Sequence, residues 1–389
     1  MSSTHRVQDH TLTLLHNGEE YFPRLIAAMD GASRSIYLET YIYAADDTGI
    51  KISAALQRAA RRGVKVHVLL DGFGSAELPQ SWASEMRTAG VDVLWFRKAA
   101  GLFGWRRYHL RRLHRKLALV DERIAFVGGI NIIDDVPDKS ITAARLDYAI
   151  ELQGPVVTEI QAAIERLWIL VSWTKLRFQR SPMKLHTTSN YAARKNVLFL
   201  VRDNVRHRRD IEKAYLKAIT AARSEIIIAN AYFLPGLRLR RALLKAARRG
   251  VRVILLLQGL VEYRLQHFAT HALYDELLGG GIVIYEYKLS FLHAKVAVVD
   301  SQWATVGSSN IDPFSLWLAR EANIAVDDAS FAGALRTRLM HDIEGAVPVV
   351  PAIWQKKHGF WMRLQSRICY MLVRFLIGVT GYVPGREKF

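Results

Sequence analysis

Between residues 36 and 96 the chain switches between two hydrophobic rhythms. Ile36 to Tyr43 and Val64 to Leu70 are short runs of apolar, β-branched and aromatic residues, and Asp71-Gly72 closes the second. Runs of this kind predict strands. From about Gly49 to Arg62 the apolar positions recur at helical spacing instead. Ile52, Leu56, Ala59 and Ala60 form one stripe, with Lys51, Arg58, Arg61 and Arg62 mostly off it. Gly63 supplies a helix stop, and the arginines before it suit the negative end of the helix dipole. Tyr21 to Ser33 and Pro79 to Ala89 read as further helices, and Val91 to Phe96 as a strand. Strands alternating with helices predict an α/β fold on a mixed, largely parallel sheet, with helices over both faces.

The second half of the chain repeats the first. Ala60-Arg61-Arg62-Gly63-Val64-Lys65-Val66 returns as Ala247-Arg248-Arg249-Gly250-Val251-Arg252-Val253, and Arg34-Ser35-Ile36 is answered by Arg223-Ser224-Glu225-Ile226. The helix predicted over Leu237 to Arg249 buries Leu239, Leu243, Ala246 and Ala247. The period of about 180 residues is too long for a solenoid and predicts a duplicated domain. We therefore expect two lobes, residues 1–175 and 196–350, packed with pseudo-two-fold symmetry. Residues 176–195, rich in Ser, Pro, Thr and Asn, read as the linker, and 351–389 as an appended tail.

Each half carries one His-x-Lys-x-x-x-x-Asp motif. The first is His114, Lys116 and Asp121; the second is His293, Lys295 and Asp300. Gly128-Gly129-Ile130-Asn131 follows one, and Gly307-Ser308-Ser309-Asn310 follows the other at the same spacing. On a strand, positions i and i+2 share a face, so each imidazole lies beside an ammonium. Two such pairs in one cleft suit a phosphate. Lys116 and Lys295, with Asn131 and Asn310, would hold the non-bridging oxygens, and Gly129 and Ser308 lie in the same substrate-binding segments. One histidine would attack phosphorus in its neutral form while the other, protonated, releases the leaving alcohol. Asp147 and Glu321, downstream of each motif, are the candidate orienting carboxylates. Asp121 and Asp300 belong to the motifs, but each ends a predicted strand and is expected to cap a turn. No metal-ligand spacing occurs, and no cofactor is expected.

Composition narrows the partner. Lys and Arg number 54 against 36 Asp and Glu, a net charge of +18, which points to a polyanion such as nucleic acid or an anionic membrane. Cys369 is the single cysteine, so no intrachain disulfide forms. The first residues form no apolar leader, and no uncharged run reaches membrane-spanning length, so neither a secretory signal nor a span is expected. Two stretches mix aromatic and basic residues. One holds Phe103, Trp105, Arg106, Arg107, Arg111 and Arg112; the other is the tail, with Trp354, Phe360, Trp361 and Phe375 among Lys356, Lys357, Arg363, Arg367 and Arg374. Both read as membrane-surface segments.

The paired motifs, with Ile228-Ala229-Asn230-Ala231-Tyr232-Phe233-Leu234-Pro235-Gly236 and Trp303-Ala304-Thr305-Val306-Gly307-Ser308-Ser309-Asn310, resemble the phospholipase D superfamily and, within it, the bacterial cardiolipin synthases. The resemblance covers nearly the whole chain. It implies two lobes around one phosphodiester site. It also implies phosphatidyl transfer from one phosphatidylglycerol to another through a phosphohistidine, with glycerol released. It makes His114 the nucleophile and His293 the acid, although the duplicated local sequence permits the reverse. It further implies a peripheral enzyme on the cytoplasmic face of the bacterial inner membrane, partnered by anionic phospholipid. The chain assigns no oligomeric state. A nuclease using the same residues, or a lipid-binding protein that kept only the fold, are the alternatives; the aromatic-basic segments weigh against nucleic acid.

Overall fold

In the computed structural model of the protein the described residues are 3–97, 111–136, 143–174, 196–203, 207–312, 319–357 and 359–379. The first lobe runs β1 (Ser3–Val7), β2 (His10–His16), α1 (Asn17–Asp30), β3 (Ser35–Thr40), α2 (Asp47–Arg61), β4 (Lys65–Asp71), α3 (Gln80–Thr88), β5 (Val91–Phe96), β6 (Arg112–Leu113), β7 (Lys116–Val120), β8 (Ile124–Gly128), β9 (Tyr148–Gln153) and α4 (Val156–Thr174). The second runs β10 (Val197–Arg202), α5 (Asp210–Ala221), β11 (Glu225–Asn230), α6 (Leu237–Arg248), β12 (Arg252–Gln258), α7 (Arg264–His271), α8 (Tyr274–Gly279), β13 (Val283–Tyr287), β14 (Lys295–Val299), β15 (Trp303–Gly307), β16 (Ala319–Asp327), α9 (Ala329–Glu344) and β17 (Val347–Pro348). The tail adds α10 (Pro351–Lys357) and α11 (Phe360–Val379).

The sheets follow one plan, β1-β2-β9-β8-β7-β3-β4-β5 and β10-β16-β15-β14-β11-β12-β13-β17. The duplication read from the sequence is thus a duplication of topology. Both sheets are mixed, but the parallel part is smaller than expected: among the described residues the parallel pairs within each lobe are those of β3-β4-β5 and β11-β12-β13. The motif strands β7 and β14 turn back through hairpins into β8 and β15, so the rest of each sheet is antiparallel. The leading hairpin β1-β2 escaped the sequence reading, although Leu12 and Leu14 alternate with threonines and are fully buried.

Helices α1, α2 and α3 cover one face of the first sheet and bury Leu25, Ile52, Leu56 and Met86. The asparaginyl-like turn that starts α2 is an Asp46 cap, its carboxylate accepting from Gly49 N at 2.9 Å. Gly63 and Gly250 stop α2 and α6 with φ of +88° and +87°, a conformation costly for residues with a Cβ. The other face is not simply a second helical layer, as the crossover pattern had predicted. There the two sheets share one core, in which Leu117, Leu119 and Ile150 join Val296, Val298 and Val306, with α4 and α9 contributing Ile160, Ile164, Phe331 and Leu335. The lobes therefore cannot part without exposing a continuous apolar layer. That contact brings the two motif strands together.

Candidate active site

Two short cross-lobe contacts set the site. β6, the segment before His114, pairs in parallel with β16 of the other lobe, Leu113 opposite Arg320. Leu146 bridges Leu292 in the same sense, just before His293. The backbone bonds match: His114 N donates to Arg320 O at 3.0 Å, and His293 N donates to Leu146 O at 2.8 Å. Each histidine is thus moored beside the residue that precedes the opposite lobe's carboxylate. His114 Nδ1 lies 3.0 and 3.1 Å from the two Glu321 oxygens, and His293 Nδ1 lies 2.6 Å from Asp147 Oδ2. The sequence picked out both carboxylates; their crossing between lobes comes only from the fold. With Nδ1 engaged, Nε2 is the nitrogen left for chemistry.

Lys116 Nζ donates to His114 O at 2.6 Å, and Lys295 Nζ donates to His293 O. Both lysines are buried, and burial draws Lys116 down to about 7 and Lys295 down to about 8, against the pull of Glu321 and Asp147. Each responds to charges of the other lobe: Lys295 acts on Lys116, and His114 and Lys116 act on His293. The four groups therefore form one electrostatic cluster. Burial lowers His114 and carries His293 well below the ordinary imidazole value, so both rings favour the neutral form. Asp147 is pushed up to about 6, again chiefly by burial. An anion entering this cluster would meet two ammonium groups that ligand binding re-charges.

The other expected site residues divide. Ser308 Oγ donates to Glu321 Oε2 at 2.6 Å, so it supports the carboxylate instead of facing substrate. Gly129, its counterpart, lies against Asp147, and a Cβ there would come within 2.2 Å of the carboxylate. Asn131 is buried and its carbonyl accepts from Ile42 N at 3.1 Å; Asn310 is buried next to the cleft segment. Asp121 and Asp300 sit at the far ends of β7 and β14. Asp121 accepts N–H bonds from Ser33, Arg34 and Ser35, and Asp300 from Arg223, Ser224 and Glu225, all at 2.7–3.0 Å. They clamp the start of β3 and β11 through these backbone bonds. Arg112 is part of β6 with its guanidinium 4.5 Å over the Phe73 ring, and Arg111 is exposed. Phe103, Trp105, Arg106 and Arg107 lie outside the described residues.

The sequence reading passed over several contributors. Tyr41 packs its ring 4.9 Å from His114 and lies 5.3 Å below Lys116 Nζ. Asp71 Oδ2 accepts from Leu113 N at 2.7 Å, and Gln258 Oε1 accepts from Leu292 N at 2.7 Å, so matching residues fix the chain just before each histidine. The signal was present as Leu69-Leu70-Asp71-Gly72 repeated in Leu256-Leu257-Gln258-Gly259. Among the described residues no cluster of His, Cys, Asp and Glu is arranged to hold a metal.

Comparison with known proteins gives a consistent picture. Residues 25–168 and 215–343 match the family model described as cardiolipin synthase, PLD-like domain. The chain is 40% identical to cardiolipin synthase B of Escherichia coli strain K12 over 387 residues, covering 97% of this chain and 91% of that protein. It is 30% identical to cardiolipin synthase A of Cronobacter sakazakii, covering 94% and 75%. The crystal structure of phosphatidylserine synthase from Haemophilus influenzae Rd KW20 superposes with a TM-score of 0.72 at 12% identity, over 96% of each chain, a likeness of fold.

Proposed function

The chain belongs to the cardiolipin synthase, PLD-like family, a phosphatidyltransferase of the phospholipase D superfamily, and from that premise we propose that it joins two phosphatidylglycerols into cardiolipin through a phosphohistidine on His114. The observation that carries the mechanism is the crossed pairing of His114 with Glu321 and His293 with Asp147 around two buried lysines. His114 Nε2 attacks phosphorus, and the bond from phosphorus to the glycerol oxygen breaks. The His293–Asp147 pair delivers the proton that glycerol carries away. The hydroxyl of a second phosphatidylglycerol then gives its proton to the same pair and displaces His114, breaking the nitrogen–phosphorus bond. Lys116 and Lys295 neutralise the non-bridging oxygens, with Asn131 and Asn310 at the edge of that set.

Burial lowers both imidazoles, His293 the further, so electrostatics favours a neutral nucleophile at either ring, and the choice of His114 rests on the family resemblance. A nucleophile must be neutral, and burial keeps His114 so. An acid must hold a proton, and Asp147, raised to about 6, lets the His293–Asp147 pair take one up as a unit near neutrality. The test uses purified protein and vesicles of phosphatidylglycerol labelled in the headgroup glycerol. One glycerol released per cardiolipin formed is expected. Phosphatidic acid in place of cardiolipin would make the protein a hydrolase, and nicked plasmid without lipid turnover would make it a nuclease.

We propose that the protein resides peripherally on an anionic bilayer, at the cytoplasmic face of the inner membrane, and the tail supports the contact with the bilayer. One side of α11 packs on the second lobe through Ser366 and Val373. The other side leaves Trp361 79%, Met371 68% and Phe375 66% exposed, next to exposed Arg367 and Arg374, and α11 holds no acidic residue. An amphipathic helix of this kind lies in the interface plane. Among the described residues no helix is long and apolar enough to cross a membrane. Replacing Trp361, Met371 and Phe375 by serine should cut vesicle binding about tenfold or more, leaving turnover of detergent-dispersed lipid near wild type. Unchanged vesicle sedimentation would remove the tail from the membrane face.

A further inference from the structure

One buried cation near the site takes no part in the mechanism above. Arg202 closes β10 and is 1% exposed, and its Nε and Nη1 are buried without a hydrogen-bond partner among the described residues. It stands directly opposite Glu321 in the β10–β16 register, and directly opposed residues of an antiparallel pair share a face. Glu321 is the foremost charge acting on it, followed by Asp312. Burial lowers Arg202 to about 10, which still leaves it cationic at neutral pH. A guanidinium in this position is costly unless its charge is used, since a buried ion without a partner destabilises a protein by several kcal/mol.

The other lobe shows what the position holds when no charge is wanted. There Asn17 follows β2 next to Asp147: its N donates to Asp147 O at 2.9 Å, and its Oδ1 accepts from Asp147 N at 3.0 Å. Asn17 is neutral, and its side-chain oxygen is met by a backbone N–H. The two lobes thus place a cation behind one orienting carboxylate and an amide behind the other.

We propose that Arg202 is a positioning residue that stands as a cation behind Glu321, so that the Glu321 side chain is held against His114 to stabilise the positive charge His114 acquires when its Nε2 bonds to phosphorus. The proposal rests on the transfer reaction above and deepens it, because it gives a physical reason for covalent chemistry at His114 over His293. When Nε2 forms the bond, Nδ1 keeps its proton and the ring becomes cationic. The Glu321 carboxylate at 3.0–3.1 Å then offsets that charge. Ser308 Oγ, donating to the same carboxylate, acts in the same sense.

The test uses the full chain on phosphatidylglycerol vesicles, with Arg202→Met, Arg202→Lys, Glu321→Gln and the double variant Arg202→Met/Glu321→Gln. Arg202→Met should lower kcat on the order of 10–100-fold with KM changed less than about twofold. It should also move the acidic limb of the rate profile to higher pH, the direction expected when a cation beside the His114–Glu321 pair is removed. Arg202→Lys should recover most of both effects. Added to Glu321→Gln, Arg202→Met should cost less than about threefold more, since the two act through one group. If Arg202→Met alone fails to fold, Glu321→Gln and the double variant, which leaves no unpaired guanidinium, still decide the question by their relative rates. A rise in KM at unchanged kcat would make Arg202 a headgroup ligand, and multiplying losses or an unmoved pH profile would also overturn the proposal. Wild-type protein that hydrolyses lipid without making cardiolipin would sink the transfer reaction alone, because the same four rates are then read on hydrolysis.

Discussion

The two lobes share a topology, a motif and a clamp, yet differ in almost every residue that touches a histidine from behind. His114 faces Glu321, braced by Ser308 and backed by Arg202; His293 faces Asp147, pressed by Gly129 and backed by Asn17. The strand end before His114 is tied by Asp71, and that before His293 by Gln258. Duplication alone gives two equivalent imidazoles, which only a bound substrate would then tell apart. The neighbours break the equivalence. They surround the two imidazoles with different hydrogen bonds and charges, and the proposed division of roles rests on that difference.

The largest effect should come from removing either ring. His114→Asn and His293→Asn are each expected to lower turnover of phosphatidylglycerol by about 10⁴-fold or more. The two then part company on a donor whose leaving group is p-nitrophenol. Such a leaving group needs no proton, so His293→Asn should recover a burst of nitrophenol and accumulate phosphohistidine detectable by mass spectrometry. His114→Asn should show neither. A burst from His114→Asn would reverse the assignment and with it the reading of Glu321 and Arg202.

A smaller effect should appear in the pH profile of the free enzyme. Asp147, raised to about 6, loses its proton above that value, and Lys116 and Lys295 lose charge above about 7 and about 8, so kcat/KM should decline on the alkaline side across pH 6 to 8. The sign follows from burial, which disfavours the charged ammonium and the charged carboxylate alike. Lys116→Arg should flatten this limb more than Lys295→Arg, since Lys116 is the more depressed and arginine stays charged. Equal flattening by both would mean that the lysines experience one field.

Much of this was legible in the chain because the repeat doubled each weak signal. A single His-x-Lys says little, but two with the same downstream spacing marked the site, and helical stripes such as Ile52, Leu56 and Ala59 marked the layers. The crossing of Glu321 and Asp147 was not legible, since it depends on which lobe each strand end meets, a property of the shared core formed by Leu117, Ile150, Val296 and Val306. The extent of antiparallel pairing was missed because the short hairpin turns at Asp121 and Asp300 lack glycine. Both residues adopt φ near +50° instead, held by the bonds their own side chains accept. Arg202 was invisible for a related reason: in sequence it is one more arginine among 54 basic residues, and only register places it opposite Glu321.

The smallest expected effect tests where the two lobes remain alike. Asp121 and Asp300 make the same clamp, each accepting three backbone N–H bonds and one serine hydroxyl. Partial burial pushes these carboxyls up, but the N–H donors outweigh it and hold both below the ordinary carboxylate range. A folded-state value below the unfolded one adds stability above pH 4 or so, and that stability is lost as the pH falls through the folded value. Asp121→Asn and Asp300→Asn should therefore each cost about 1 kcal/mol at pH 7, near the low end for charged hydrogen bonds because the groups are partly solvated. Denaturant melts at pH 7 and pH 3 should show the difference from wild type shrinking at the lower pH, by similar amounts for the two variants. Turnover under stabilising conditions should stay near wild type for both. Loss of activity at an unchanged melting midpoint in either variant would return that aspartate to the chemistry, and loss in only one would mean that the lobes diverged even at the clamp.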